Sequence, residues 1–546
     1  MSNKLAKKYL FGFILSVEII GIIFIMNILN SYLQSRPIPP PVYQSPTVSK
    51  PKFSNPNSST KTTIFYQNDF HRQLPKMARA VTASEQVEIA TNQNGSDLLR
   101  VCSGDLLLGS DEKTNAVASQ YLNLAELDAL ALGNHEFDIT ASICGKLLKD
   151  SKTKVLGMNL NFPHDHSDLS KKVLRSTIVD GKNGDRYGLI GIQPPDMVSR
   201  IKKKEALDGI TVDNEAQTIL ELQQEVDRLK QQGLNKIILL SHSGNTFEKE
   251  IAKKVTGIDV IIGGHSHHLI EGVKEGENLF YSQSGEPIVI TQAGRDGNHL
   301  GFLNLEFNDK GQITYVQNNI VDTNSFAPNM LMTKTIDSAL GVSPQIGNLR
   351  YVDPLPKNNN IEENPWADFV ADAVKNQLEA DVVLINSANF RGSVGLGKVT
   401  ERDISSIFPF SNKLFKVKIN EEDLVDAIKK CGKSLVNKNT KPGIMQVSGL
   451  SYTLDSQGNL TEMYYHDKQG NKRFINVNDP DDDKYYTAVY DEFLINGGDD
   501  MDMLERDDDE IIQRYDFDKD KVTIDYIKTL AQPFEVRKDG RITILK

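Results

Sequence analysis

The stretch "DVIIGGHSHHLI", residues 259–270, runs from an apolar segment through two glycines into three histidines. The whole chain has only ten histidines in 546 residues, so three within four positions need a cause. A short β-branched run stopped by glycine reads as a buried strand. One imidazole in a core is ordinary packing. Several at the carboxyl end of a strand suggest a metal site, because α/β proteins place their sites where strands end.

Working outward, the same strand-then-polar-turn template recurs. It appears in "DLLRVCSGD" (97–105), "ELDALALGNHEFD" (126–138), "YGLIGIQ" (187–193) and "NKIILLSHSG" (235–244). Between them, "NEAQTILELQQEVDRLKQQG" (214–233) has helical periodicity and ends in Gly233. This alternation predicts an α/β domain beginning at "TTIFYQNDFH" (62–71), with "GFLNLEFNDKGQITYVQNNIVD" (301–322) as a closing hairpin. The segment "NMLMTKTIDSALG" (329–341) reads as a linker helix. A second α/β unit follows, with a helix and strand in "NPWADFVADAVKNQLEADVVLINSANFR" (364–391) and strands at "LFKVKI", "YYTAVY" and "GRITIL".

Length and composition agree with this division. A chain of 546 residues is too long for one core. Hydrophobic content of 39% and charged content of 25% are ordinary for globular proteins. The formal net charge of −11 argues against a nucleic-acid polymer as partner, since phosphate backbones require basic patches. Cys102, Cys144 and Cys431 are too few and too dispersed for a zinc ribbon or a disulfide framework.

The N-terminus differs from the rest. Lys4, Lys7 and Lys8 precede about twenty mostly apolar residues, long enough to cross a bilayer, with no small-residue cleavage site after them. This reads as an uncleaved signal anchor, despite Glu18 within it. The expected location is therefore the cell membrane, single-pass, with the bulk of the chain extracytoplasmic; a cleaved signal peptide and secretion is the alternative. The expected organisation is a cytoplasmic N-terminus and anchor over 1–36, a Pro/Ser-rich linker over 37–61, a catalytic domain over 62–325, a linker helix over 326–345 and a second domain over 346–546.

The polar residues at the strand ends form one candidate set. "QNDFH" offers Asp69 and His71, two apart and therefore on one side of an extended chain. "SGD" offers Asp105, and "GNHEFD" offers Asn134, His135 and Asp138. "SHSG" offers His242, and "GGHSHH" offers His265, His267 and His268. Hydrolysis of a phosphate ester needs an activated water and relief of charge on the phosphoryl oxygens. Two divalent ions ~3.5–4 Å apart supply both. A carboxylate bridges two cations with its two oxygens, and neutral imidazoles and an amide complete the shells. Oxygen and nitrogen donors without thiolate suit Zn, Mn, Fe or Co.

With these motifs in hand, the chain resembles the calcineurin-like metallophosphoesterases. More closely, it resembles the bacterial and ectoenzyme 5′-nucleotidases and the periplasmic UDP-sugar hydrolases. The resemblance implies an N-terminal sandwich of mixed β-sheets flanked by helices and a separate C-terminal α/β substrate-binding domain. It implies that Asp69, His71 and His267 hold one ion, that Asp105 bridges, and that Asn134, His242 and His265 hold the second. His135 with Asp138 matches the family pair that stabilises the phosphoryl group or leaving oxygen. His268 matches no family role.

In the second domain, "INSANFRGSVGLGKVTERDISSIFPFSNKL" (385–414) and "DEFLINGGDDM" (491–501) resemble the family's substrate-binding motifs. They imply that Phe410 and Phe493 sandwich a nucleobase, Asp499 binds ribose hydroxyls, Asn386 and Asn412 meet the base edge, and Arg391 meets an anionic group. Two departures stand out. Glu362 occupies the place of a family arginine, with Ala367-Asp368 in place of Gly-Asn, and Arg72 follows His71 where glycine is common. The expected reaction releases phosphate from nucleoside 5′-monophosphates by attack of a metal-bound hydroxide. UDP-sugar hydrolysis, 2′,3′-cyclic nucleotide hydrolysis or catalytically weak nucleotide binding at a surface are the alternatives.

Overall fold

The computed structural model describes residues 60–545, apart from 164–167, 202–203, 283–284, 357–360, 409–411 and 437–442, and the side chain of Arg200. The expected anchor and nearly all of the Pro/Ser-rich linker lie outside the described residues. Among the described residues, no helix is long and apolar enough to cross a membrane.

Two sheets make the N-terminal half. One has seven strands, in the order Ile313–Asp322, His299–Phe307, Thr60–Gln67, Asp97–Cys102, Ala129–Ala131, Lys154–Leu156 and Val173–Leu174. The other has six, in the order Leu279–Tyr281, Pro287–Thr291, Val260–Ile262, Ile237–Ser241, Arg186–Ile192 and Ser176–Asp180. Alternation along the strands makes the layers. Ile64, Tyr66, Leu99 and Val101 from the first sheet meet Ile238, Leu240, Val260 and Ile262 from the second in a core between the sheets. The alternate residues Ile237, Leu239 and Ile261 face the helices Glu215–Gln231 and Asn245–Lys254. Phe65 and Cys102 face a separate helical layer. Strands buried on both faces are the reason these segments read as unbroken apolar runs.

The central strands of each sheet are parallel. Their carboxyl ends therefore all open on one edge of the sandwich. Thr60–Gln67 ends just before Asp69, Asp97–Cys102 before Asp105, Ala129–Ala131 before Asn134, Ile237–Ser241 at His242 and Val260–Ile262 before His265. Asn214 caps the Glu215–Gln231 helix by accepting from the Gln217 amide, and Gly233 follows with φ +83°. The helix of the expected linker, Met330–Leu340, is part of the N-terminal core. Met332 and Ile336, four apart on one face, bury themselves against the layer that holds Leu74 and Tyr121.

The C-terminal half holds a five-stranded sheet with Val382–Asn386 next to Tyr485–Asp491, and three- and four-stranded sheets beside it. The Pro365–Leu378 helix starts at its Asn364 cap, with Pro365 in the first turn, where a missing amide proton costs nothing. The two halves meet through polar groups. Gln73 Nε2 donates to the Ser406 carbonyl at 2.8 Å, and Lys76 Nζ donates to Asn324 Oδ1 and Ser393 Oγ at 2.6 and 2.9 Å. The three cysteines are free and buried.

Candidate active site

At the shared edge, three sets of side chains each bring potential ligand atoms within 4.8 Å of one another: Asp69, His71 and His267; Asp105, His242 and His265; and His71, Asp105 and His135. Asp69 Oδ1 lies 3.2 Å from His267 Nε2 and 3.8 Å from both His71 Nε2 and His242 Nε2. Asp105 Oδ2 lies 3.0 Å from His242 Nε2, 3.5 Å from His71 Nε2 and 4.0 Å from His135 Nε2. Asp105 thus sits at the junction of the sets, where a bridging carboxylate belongs.

The fit to divalent ions can be judged from polar atoms that lack a partner. His71 Nε2, His242 Nε2 and Asn134 Oδ1 are buried and make no hydrogen bond. Leaving such an atom unsatisfied costs about 1–3 kcal/mol. Two imidazoles that converge on two buried carboxylates, with the unpartnered amide oxygen of the residue before His135, form an oxygen–nitrogen donor set that a divalent cation satisfies. Burial alone would raise both carboxyls, yet the surrounding imidazoles hold Asp69 at about 2 and Asp105 well below the usual carboxylate range. Burial opposes protonation of His71 and His242, but the facing carboxylates push them up to about 9 and about 10. An entering cation therefore displaces protons.

The backbone is shaped for this convergence. Asp69, His71, Asp105, His265 and His267 all have φ between +48° and +69°, a region that side chains other than glycine rarely occupy. Such conformations persist at sites where the surrounding fold over-determines them. Gly104 is required by close approach: a Cβ there would lie 2.5 Å from His242 Nδ1.

Several groups that hold this geometry carry no motif of their own. Glu136 is buried and accepts from the amides of Asp105, Leu106, Leu107 and Gly133 at 2.6–3.0 Å, so one carboxylate fixes the whole Asp105 turn. Asn68 Nδ2 donates to Asp69 Oδ2 at 2.7 Å. The Ser103 carbonyl accepts from His242 Nδ1 at 2.6 Å. Asp296 lies 2.8 Å from His71 Nδ1, although it is 225 residues away in sequence. Glu136 and Asn68 stand inside quoted motifs and were readable as candidates; nothing local marks Asp296.

His135 is the open member of the cluster, with its side chain 33% exposed. Its Nδ1 pairs with Asp138 Oδ2 at 2.7 Å, and Asp138 also accepts from the Gly109 amide at 2.8 Å. Burial lowers the His135 pKa, but Asp105 and Asp138 outweigh it and raise it. His268 turns away and pairs its Nδ1 with Ser266 Oγ at 2.9 Å.

The substrate residues expected in the second domain are placed as follows. Asn386 is buried, with Nδ2 3.4 Å from Asp499 Oδ2, and Asp499 has φ +59°. Phe493 is 37% exposed beside Gly498. Asn412 is half-buried, and Phe410 lies outside the described residues. Arg391 is half-buried, within electrostatic reach of Asp296 and Arg295. Asn386 and Arg391, five residues apart, thus join the Asp499 loop to the metal cluster.

The departures have structural answers. Asp368 is fully buried. Burial, opposed by Arg541 and reinforced by Glu363, pushes its carboxyl up to about 9. Arg541, whose Nε is 3.8 Å from Asp368, grips Asp372 with both terminal nitrogens at 2.8 and 2.9 Å. Arg72 packs near Asp111, with Nη1 3.8 Å from Oδ2, and lines a cavity of about 180 Å³ with His71, Arg402 and Ser406.

Comparison with known proteins matches both halves. Residues 62–269 match the calcineurin-like phosphoesterase family, and residues 345–506 match the 5′-nucleotidase C-terminal domain family. The 5′-nucleotidase of Mus musculus is 25% identical over 541 residues, covering 89% of this chain and 91% of that protein. A trifunctional nucleotide phosphoesterase protein of Bacillus subtilis is 25% identical and aligns with 88% of this chain, which spans only 34% of that longer protein. The crystal structure of a 5′-nucleotidase precursor from Thermus thermophilus superposes with a TM-score of 0.60 at 21% identity, covering 89% of this chain and 99% of that one. With a calcineurin-like phosphoesterase domain followed by a 5′-nucleotidase C-terminal domain, the chain has the two-domain make-up that matches its 5′-nucleotidase relatives and is a hydrolase of phosphoric ester bonds.

Proposed function

We propose that this hydrolase binds two divalent ions and releases phosphate from nucleoside 5′-monophosphates outside the cytoplasmic membrane. The observation that carries the two-ion reading is Asp105, whose Oδ2 lies 3.5 Å from His71 Nε2 and 3.0 Å from His242 Nε2, one histidine of each proposed ligand set. Asp69, His71 and His267 would hold one ion, and Asn134, His242 and His265 the other. The ions supply charge neutralisation at the phosphoryl group and an activated water.

The chain's own residues do the rest. His135 Nδ1 must donate to the Asp138 carboxylate, which fixes the ring and leaves Nε2 facing the ligand cluster, 4.0 Å from Asp105 Oδ2. Held this way, the ring can present a proton on Nε2 to a phosphoryl or leaving oxygen, a contribution of about 10²–10⁴ in rate. Phe493 offers a stacking face to the base, Asn386 and Asp499 form a polar pair for the nucleoside, and Arg391 brings positive charge toward the metal side. Nucleoside monophosphate substrates are supported by this combination and by the 5′-nucleotidase relatives. Extracytoplasmic placement is supported by the lysine-flanked apolar segment at the N-terminus.

The test is phosphate release by the purified protein loaded with Mn or Zn, given AMP, a UDP-sugar, a 2′,3′-cyclic nucleotide and p-nitrophenyl phosphate. Preferred hydrolysis of AMP is expected. Turnover of the generic ester alone would defeat the nucleotide assignment and leave the phosphatase chemistry.

A further inference from the structure

An imidazole that gives one ring nitrogen to a metal must dispose of the proton on the other. The partner chosen there sets the tautomer and the basicity of the ligand. The two deepest histidines of the cluster choose differently. His242 Nδ1 donates to a neutral acceptor, the Ser103 backbone carbonyl, at 2.6 Å. His71 Nδ1 donates to a carboxylate, Asp296 Oδ1, at 2.8 Å.

Asp296 is built in rather than incidental. It is fully buried, and its backbone takes φ +56°. Its amide donates to the Asp69 carbonyl at 2.6 Å, which ties the Asp296 loop to the backbone of another ligand. Gly297 follows with φ +59°, and a Cβ there would lie 2.6 Å from the Phe70 ring, so the loop is pressed against the residue between Asp69 and His71. Arg295 Nε stands 3.1 Å from Asp296 Oδ2, and Arg391 adds a second positive charge from the other domain. The carboxylate thus faces an imidazole through Oδ1 and a guanidinium through Oδ2.

We propose that Asp296 is a positioning residue that makes the two ion positions unequal: it supports His71 with a full negative charge, so the Asp69–His71–His267 position holds its ion more tightly than the Asp105–His242–His265 position. The inference rests on the two-ion reading above. Loss of such a supporting carboxylate typically lowers metal affinity by about 10–100-fold.

The experiment is a graded chelator titration of the purified, manganese-loaded protein, counting retained ions by elemental analysis and following the bound-manganese paramagnetic resonance signal. Wild type is expected to release its ions in two separated steps. Asp296→Asn keeps an acceptor for the His71 proton but removes the charge, so the tighter step moves toward the weaker one by about tenfold or more, with the weaker step unchanged. A merely structural role would instead lower the melting temperature of the chelated protein and leave the separation of the steps intact. Two ions released with the same profile in wild type and variant, or both steps shifted equally, overturns the inequality alone. A wild-type total of one ion overturns the two-ion reading and the inequality with it. Should Asp296→Asn fail to fold, Arg295→Gln gives the converse test. It frees the carboxylate from a competing cation, so the tighter step is expected to hold or strengthen, and its loss would refute the proposal.

Discussion

The metal-ligand edge of the first domain and the substrate loops of the second are built to different tolerances. At the edge, candidate ligands from five strand ends of two mixed sheets converge within a few ångströms, and five of them, Asp69, His71, Asp105, His265 and His267, sit on backbone held in the left-handed region. Each such residue costs on the order of 1–3 kcal/mol, which only a rigid double-sheet core sustains. In the second domain, Phe493 is 37% exposed and Asp499 meets Asn386 across a long 3.4 Å contact. Bond-breaking needs fixed charges at fixed distances, whereas stacking on a flat base tolerates looseness. The difference teaches that damage at the edge should strike every substrate, and damage in the loops only those that carry a base.

The largest effect should separate the halves most plainly. Asp105→Ala removes the carboxylate shared by the ligand sets, and AMP and p-nitrophenyl phosphate turnover should both fall by at least about 10³-fold, roughly 4 kcal/mol of barrier. Loss for one substrate alone would break the comparison. His135→Ala should lower kcat for both by about 10²-fold while metal content, read by elemental analysis, is retained. If the ions leave with it, His135 is a ligand and its proton-donating role fails. Phe493→Ala should raise KM for AMP by about tenfold, the value of one base–aromatic stack, and leave p-nitrophenyl phosphate within twofold. Equal effects on both would show that Phe493 shapes the site rather than the base pocket.

The same contrast governs what could be read in the sequence. Parallel strands write themselves as apolar runs, and their ends fall just before Asp69, Asp105, Asn134 and His265 and at His242, so the ligands were visible as residue types at repeated positions. What the sequence could not show is who supports them. Asp296 meets His71 across 225 residues, through the pairing of a hairpin strand with the first strand. Glu136 stood within its motif, yet its four amide contacts arise only when the Asp105 turn folds over it. The surroundings of Asp368 were equally closed to the sequence, because Arg541, from the last strand region, comes beside it only in the fold.

The smallest effect concerns the seam between the halves. Lys76 is fully buried there, donating to Asn324 and Ser393. Burial, helped by Arg79 and opposed by Asp322 and Asp403, lowers its pKa to about 7. In the unfolded chain the same amine titrates near ~10.4. Below about pH 7 the amine is protonated in both states, and the folded protein bears the full cost of a buried charge. Between about 7 and 10 the unfolded chain binds the extra proton, so stability contributed at this position rises with pH. Lys76→Met keeps the length and removes both the charge and the two hydrogen bonds. The variant should therefore melt a few degrees above wild type near pH 6 and lose that advantage by pH 10, where neutral Lys76 keeps its bonds without the charge. A melting difference that does not vary with pH would mean that Lys76 titrates normally, and that the seam admits water.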